Sequence, residues 1–333
     1  MWISALLIGF GIFSLSPFFS VLASICGLLP LLYTNRNHSF LVRFIRTFAV
    51  FTIVYALQLG WFLSHPFLYI YPTWILLSCF LALQIAIPLS LLSKERLSSI
   101  AWCGWTALFV VFIEYARLHI FCGFSLYPLG ISLCGFSASR LSLIYLGMSG
   151  LTFIIVFSQA LLTRYLVFKR GLILFLVVAS LPYLFGSLMP LPKTTSLGQV
   201  SIGIIDTNYP PEMVENPAPL IKTAEEQMCK LIDLSFKAKA NKISLLVAPE
   251  IYVPFSPWGM IYSRSVIDEA FTRNGYTPSF SNPQLYALEV LQTLTQATGC
   301  TLIVGLEGRE AKKSYNSAYC IYPNKSPFLR YDK

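Results

Sequence analysis

The chain has 333 residues, of which 56% are apolar and only 12% charged, with a net charge of +9 and a mean hydropathy of +0.65. A soluble domain has about a quarter of its residues charged, so this composition excludes an ordinary pair of soluble domains. Residues 1–190 hold two acidic residues, Glu95 and Glu114, against ten basic ones, whereas residues 191–333 hold thirteen acidic and fourteen basic. The pattern is that of a membrane half followed by a soluble half. Its excess cations belong to loops that orient helices, and no nucleic-acid partner is implied.

A crossing needs about 20 apolar residues, fewer for a short or half-buried helix. Seven spans are predicted, at 2–15, 17–33, 47–63, 68–92, 100–120, 141–167 and 172–189. The first has no basic residues before it, which argues against a cleaved signal peptide. Alternate loops carry Arg36, Arg43 and Arg46, then Lys94 and Arg96, then Arg164, Lys169 and Arg170; the other loops have only Arg117 and Arg140. The positive-inside rule then places the N-terminus in the cytoplasm and the soluble half on the external face.

Within the spans, Glu114 and Arg117 stand three residues apart near the end of the fifth, where ionisable groups are costly and normally paired or functional. They read as a structural pair bracing the bundle. Gly123-Phe124-Ser125-Leu126-Tyr127-Pro128 follows, with Phe124 and Tyr127 as candidates either for interfacial anchoring or for lining a lipid entry path.

Beyond a linker at 191–199, the periodicity changes and a domain over 200–333 begins. A strand is predicted at 200–205, an amphipathic helix at 216–240, and a strand at 243–248 apolar enough to be buried on both faces. An irregular stretch is expected over 251–282, then a helix from Pro283 to Thr298-Gly299, with strands at 301–305, 315–322 and 328–333. This is an α/β order. The segment Phe255-Ser256-Pro257-Trp258-Gly259-Met260 is too apolar for a solvated loop, so Phe255 and Trp258 are candidates for an aromatic anchor in the bilayer interface or for packing back on the domain.

All three histidines (His38, His65, His119) lie in the membrane half and no C-x-x-C occurs. No His-dependent triad can therefore come from the soluble half alone, and no metal site or disulfide framework is indicated. Glu250 stands just past the C-terminal end of a buried strand, where open α/β folds place ligands. A carboxylate partly withdrawn from water there can act as a general base near neutral pH; the plainer reading is a loop-capping glutamate.

Seven spans, then V-A-P-E ending at Glu250, Y-N-S-A-x-x-I from Tyr315, and Y-D-K ending at Lys333 resemble the apolipoprotein N-acyltransferases, membrane enzymes with an external nitrilase-like domain. Glu114-Tyr115-Ala116-Arg117 through Cys122-Gly123-Phe124 is similar to that family's E-x-x-R…T-G-F-P-W stretch, with Ser125 and Leu126 in place of Pro-Trp. Leu146-Gly147-Met148-Ser149-Gly150-Leu151-Thr152-Phe153 looks like its G-x-x-G-L-S-F helix, whereas residues 201–208 lack its V-Q-G-N-I. The resemblance implies an αββα sandwich and a Glu–Lys–Cys mechanism, with Glu250 as general base and Lys333 stabilising the oxyanion. An acyl chain would pass from a phospholipid through a Cys thioester to the α-amino group of a lipid-modified N-terminal cysteine on an apolipoprotein, with no cofactor, at the periplasmic side of the bacterial inner membrane.

The nucleophile of that mechanism has no counterpart here; Cys300 and Cys320 read as structural. The chain is thus expected to be the N-terminal portion of such an enzyme, ending at the lysine. An inactive or split-enzyme fragment that binds phospholipid or lipoprotein, and a membrane-tethered nitrilase-type amidase, are the alternatives.

Overall fold

A computed structural model describes residues 1–11, 17–64, 68–120, 126–188, 198–206, 217–250, 252–253, 256–310, 313–323 and 325–332. The chain divides into two compact units, Met1–Lys193 and Thr194–Lys333.

The first unit is helical: α1 (Trp2–Gly9), α2 (Pro17–Cys26), α3 (Leu29–Asn35), α4 (Phe40–Gln58), α5 (Ile70–Ser90), the single turn α6 (Lys94–Leu97), α7 (Ile100–Ile120), α8 (Ser137–Leu141), α9 (Leu143–Phe168) and α10 (Leu172–Leu188). Five stretches among the described residues are long and apolar enough to cross a bilayer: Pro17–Asn35, Phe40–Gln58, Ile70–Ser90, Ile100–Ile120 and Leu143–Phe168. Of the other two predicted spans, Leu172–Leu188 is a shorter apolar helix, and α1 covers eight residues of the first, whose remainder includes 12–15, outside the described residues. The third span begins seven residues earlier than predicted, so Arg43 and Arg46 sit in the first turns of α4 and not in a loop. Arg43 Nε donates to the Ser90 carbonyl at 2.8 Å, which lets the helix carry that charge at its end.

Packing follows the helical period. Val50, Phe51 and Val54 of α4 meet Leu81, Ala82 and Ile85 of α5, while Cys103, Ala107 and Val110 of α7 belong to the same core as Val156 and Ala160 of α9. Leu68, Leu76, Phe112 and Ile173 are among many large apolar side chains facing outward, as a hydrocarbon solvent allows. Small residues set the closest approaches. A side chain on Gly186 of α10 would strike the backbone carbonyl of Ala138 in α8.

Inside the unit, polar groups are stitched across long sequence distances. Between α2 and α3 the helix breaks, and Gln159 of α9 bridges the break: its Nε2 donates to the carbonyls of Ala23 and Ser24 at 2.9 Å each, and its Oε1 accepts from the Leu28 N–H. Glu114, buried, accepts from the Leu129 N–H at 2.9 Å and from the Thr152 hydroxyl at 2.7 Å, and Thr152 in turn accepts from the Gly130 N–H at 2.9 Å. The E-x-x-R and G-L-T-F segments are thereby joined. Arg117 is buried as well.

The second unit is α/β: β1 (Ile202–Ile204), α11 (Pro217–Ala240), β2 (Leu245–Val247), β3 (Met260–Ser263), α12 (Arg264–Arg273), β4 (Gln284–Tyr286), α13 (Ala287–Thr298), β5 (Thr301–Glu310), β6 (Lys313–Tyr322) and β7 (Lys325–Asp332). Five strands form one mixed sheet in the order β1-β2-β5-β6-β7, parallel across β1-β2-β5 and antiparallel beyond; β3 and β4 form a separate antiparallel pair. The stretch expected to be irregular thus contains β3 and α12. In α12, Ile267, Ala270 and Phe271 are buried at helical spacing, a pattern too short to stand out among the flanking Pro, Ser and Tyr. The helix expected from Pro283 starts at Ala287, because Gln284 and Leu285 are taken up by pairing with β3; its end at Gly299, with φ 75°, is as expected.

The sheet is two-sided in different ways. Leu246, Leu302, Val304, Leu306, Tyr319 and Ile321 share one core with Met228, Leu231 and Ile232 of α11 and Leu288, Leu291 and Leu294 of α13. The register places Ile202, Ile204, Val247, Ile303, Leu329 and Tyr331 on the opposite face, which is apolar too. There Ile204 is 81% and Tyr331 74% exposed, so no described residue covers the outer strands of this face.

Candidate functional site

β2 ends against its parallel neighbour: the Ala248 N–H still donates to the Ile303 carbonyl at 2.8 Å, and then Pro249 stops the ladder. The chain turns, with the Tyr252 N–H donating to the Pro249 carbonyl at 3.3 Å, and buried Tyr252 and Val253 fix the exit. Glu250 stands at the apex, at the C-terminal end of a parallel strand as expected. It is exposed, not withdrawn from water, because the adjoining sheet face is bare. Its Oε1 accepts a hydrogen bond from the Asn316 amide of β6. By register, Asn316 shares the bare face with Ala318 and Cys320, so Glu250 is turned toward that face.

On the other face of the same strands, the Ser317 hydroxyl donates to Asp332 Oδ1 at 2.6 Å, and Arg330 Nε donates to the same oxygen at 2.6 Å. The Ser317 bond first, and the Arg330 bond after it, hold the Asp332 carboxyl below its ordinary range. Gly308 of β5 makes room for this group, since a side chain there would collide with Ser317 and Arg330. The Arg330 guanidinium also lies 5.7 Å from the Tyr315 ring centre. Y-N-S-A and Y-D-K thus meet side by side, and V-A-P-E reaches them through Asn316. Asn316, Ser317 and Asp332 carry no predicted role; their signal was membership in motifs, and only strand register could reveal the pairing.

The remaining predicted residues fall as follows. Lys333, Phe124 and Phe255 lie outside the described residues. Trp258 is 59% exposed, with its ring 6.5 Å from that of Phe328, and Tyr127 packs partly against the bundle core. Cys300 is buried with its Sγ donating to the Ile243 carbonyl at 3.0 Å; it precedes β5, whose Thr301 pairs with Leu245 at the start of β2, so it sits at the sheet end opposite Glu250. Cys320 is four residues along β6 from Asn316, about 14 Å at the rise of an extended strand. Neither thiol reaches Glu250. No group of His, Cys, Asp and Glu among the described residues is arranged to hold a metal ion. Neither the models of known protein families nor the curated proteins searched gave a match to this chain.

Proposed function

We propose that this chain is a membrane acyltransferase of the apolipoprotein N-acyltransferase kind, with a bundle of about seven spans in the bacterial inner membrane and a nitrilase-like domain on the periplasmic side. The observation that carries the reading is the convergence of three motif segments at one end of one sheet: Glu250 with Asn316, and Ser317 with Asp332, the residue before Lys333. The bare apolar sheet face supports the αββα part of the reading, because a second sheet laid on it would complete a sandwich.

In the proposed reaction Glu250 takes the proton of a cysteine thiol as its sulfur attacks the acyl carbonyl of a phospholipid, and Lys333 offsets the charge on the tetrahedral oxygen. The ester C–O bond breaks, lysophospholipid leaves with the proton from Glu250, and a thioester remains. The α-amino group of the lipid-modified N-terminal cysteine of an apolipoprotein then attacks the thioester. An amide C–N bond replaces the C–S bond, and the amine's proton returns to the thiolate through Glu250. The thiol is neither Cys300 nor Cys320, both out of reach of Glu250, and the segment that carries it is assigned to the bare face beside Glu250. This route uses no metal or organic cofactor.

The test is acyl transfer from phospholipid vesicles to a diacylglyceryl-cysteine peptide by the protein as its own gene makes it. Glu250→Ala lowers transfer by about 100-fold or more at unchanged protein level and melting temperature. Retained turnover removes Glu250 from the chemistry, and hydrolysis of a small amide without acyl transfer favours the amidase reading. The intact mass of that protein, set against 37.4 kDa for residues 1–333, tells whether the thiol segment is on the same chain.

A further inference from the structure

One side of α7 is an aromatic trough. Trp102, Trp105, Phe109, Phe112 and Tyr115 recur at helical spacing and, with Leu91 just past α5, line a groove of about 990 Å3. Trp105 is 67% and Phe112 65% exposed, so no described residue of this unit fills it. From Ser99 to Tyr115 the groove follows the helix for about 24 Å, longer than one leaflet's share, about 15 Å, of the hydrocarbon core.

The mouth at the Ser99 end is cationic. The Arg96 guanidinium lies 4.4 Å over the Trp102 ring, and its Nη1 donates to the Leu91 carbonyl at 3.2 Å, so it is held between two lining residues. Lys94 is exposed beside it, and Arg164 Nε donates to the Ser98 carbonyl at 3.1 Å, next to lining residue Ser99. The acid nearby in sequence, Glu95, accepts from the Ser93 hydroxyl at 2.7 Å. Three cations against one carboxylate thus stand where the apolar trough meets the headgroup layer.

We propose that this groove binds a phospholipid with a net negative headgroup, one acyl chain lying along Trp105 and Phe109 and the headgroup phosphate between Arg96, Lys94 and Arg164. Charge complementarity selects this occupant. A second copy is disfavoured: two copies inserted in the same sense and related by a two-fold axis would bring Arg96 against Arg96. The site is independent of the acyl-transfer reading, because its test reads binding and not activity.

The experiment is native mass spectrometry of the full-length protein released from detergent after titration with phosphatidylglycerol or with phosphatidylcholine of the same chains. Phosphatidylglycerol is retained preferentially, and each cation removed, in Arg96→Gln and in Lys94→Gln/Arg96→Gln, weakens it by about fivefold while phosphatidylcholine is unaffected. Arg96→Lys keeps the preference, and helix content by circular dichroism is unchanged throughout, which separates lost binding from lost folding. Equal retention of the two lipids overturns the proposal, as does a preference that survives the double variant. A dimer peak abolished by Trp105→Ala also overturns it and assigns the face to a second copy.

Discussion

At the scale of single residues, Ser317 and Tyr262 make opposite predictions. The folded Asp332 carboxyl is held low by Ser317, so its contribution to stability is present above the ordinary carboxylate range and is lost as pH falls through the lowered value. Ser317→Ala should therefore lower the melting temperature at pH 7 and lower it less at pH 2; an equal deficit at both pH values would detach Ser317 from the Asp332 charge. Tyr262 is wholly buried in β3, its hydroxyl has no hydrogen-bond partner among the described residues, and burial pushes its ionisation up. Tyr262→Phe removes an unsatisfied polar atom at little cost in packing. It should raise unfolding stability by about 1 kcal/mol, read from the urea midpoint at constant slope, and a loss instead would mean the hydroxyl has a partner.

Elements repeat the lesson at longer range. α8 and α10 approach so closely that Gly186→Ala must push backbone aside; overpacking of this kind costs about 1–3 kcal/mol, and a melt in detergent should show it without change in helix content. The long elements were legible in the sequence because period and length agree: α7 occupies the predicted 100–120, and α11 lies within the predicted 216–240. β3, β4 and α12 were not, because each is four residues or fewer, or a short amphipathic run, stabilised by contacts made elsewhere in the chain. The same limit governs the site. Position after a buried strand pointed to Glu250, but its partner Asn316 is 66 residues away and is delivered by the β5–β6 register, which no local pattern encodes.

On the whole-molecule scale, the two units are apolar on the outside for different reasons. The helices of the first leave Leu76 and Ile173 exposed, as a hydrocarbon solvent would allow, whereas the sheet of the second shows Ile204 and Tyr331 on a face that its described helices do not cover. Ile204→Lys combined with Tyr331→Lys leaves the helix-covered core untouched and should leave its melting within about 0.5 kcal/mol of wild type, while abolishing the proposed acyl transfer by excluding the proposed covering layer. Unchanged transfer would show that nothing needs to dock there. Biosynthesis adds a constraint of its own through Gln159. At the α2–α3 break the Leu28 N–H donates to this side chain, 131 residues further along, and the Ala23 and Ser24 carbonyls accept from it, Ala23 also from the Gly27 N–H. At ribosomal speeds of about 5–20 residues per second, roughly 7–26 s separate the two in translation. During that interval the nascent Pro17–Asn35 stretch has to satisfy the Leu28 N–H in another way, with water or within the insertion machinery, so α9 sets the moment at which this break closes on its final partner.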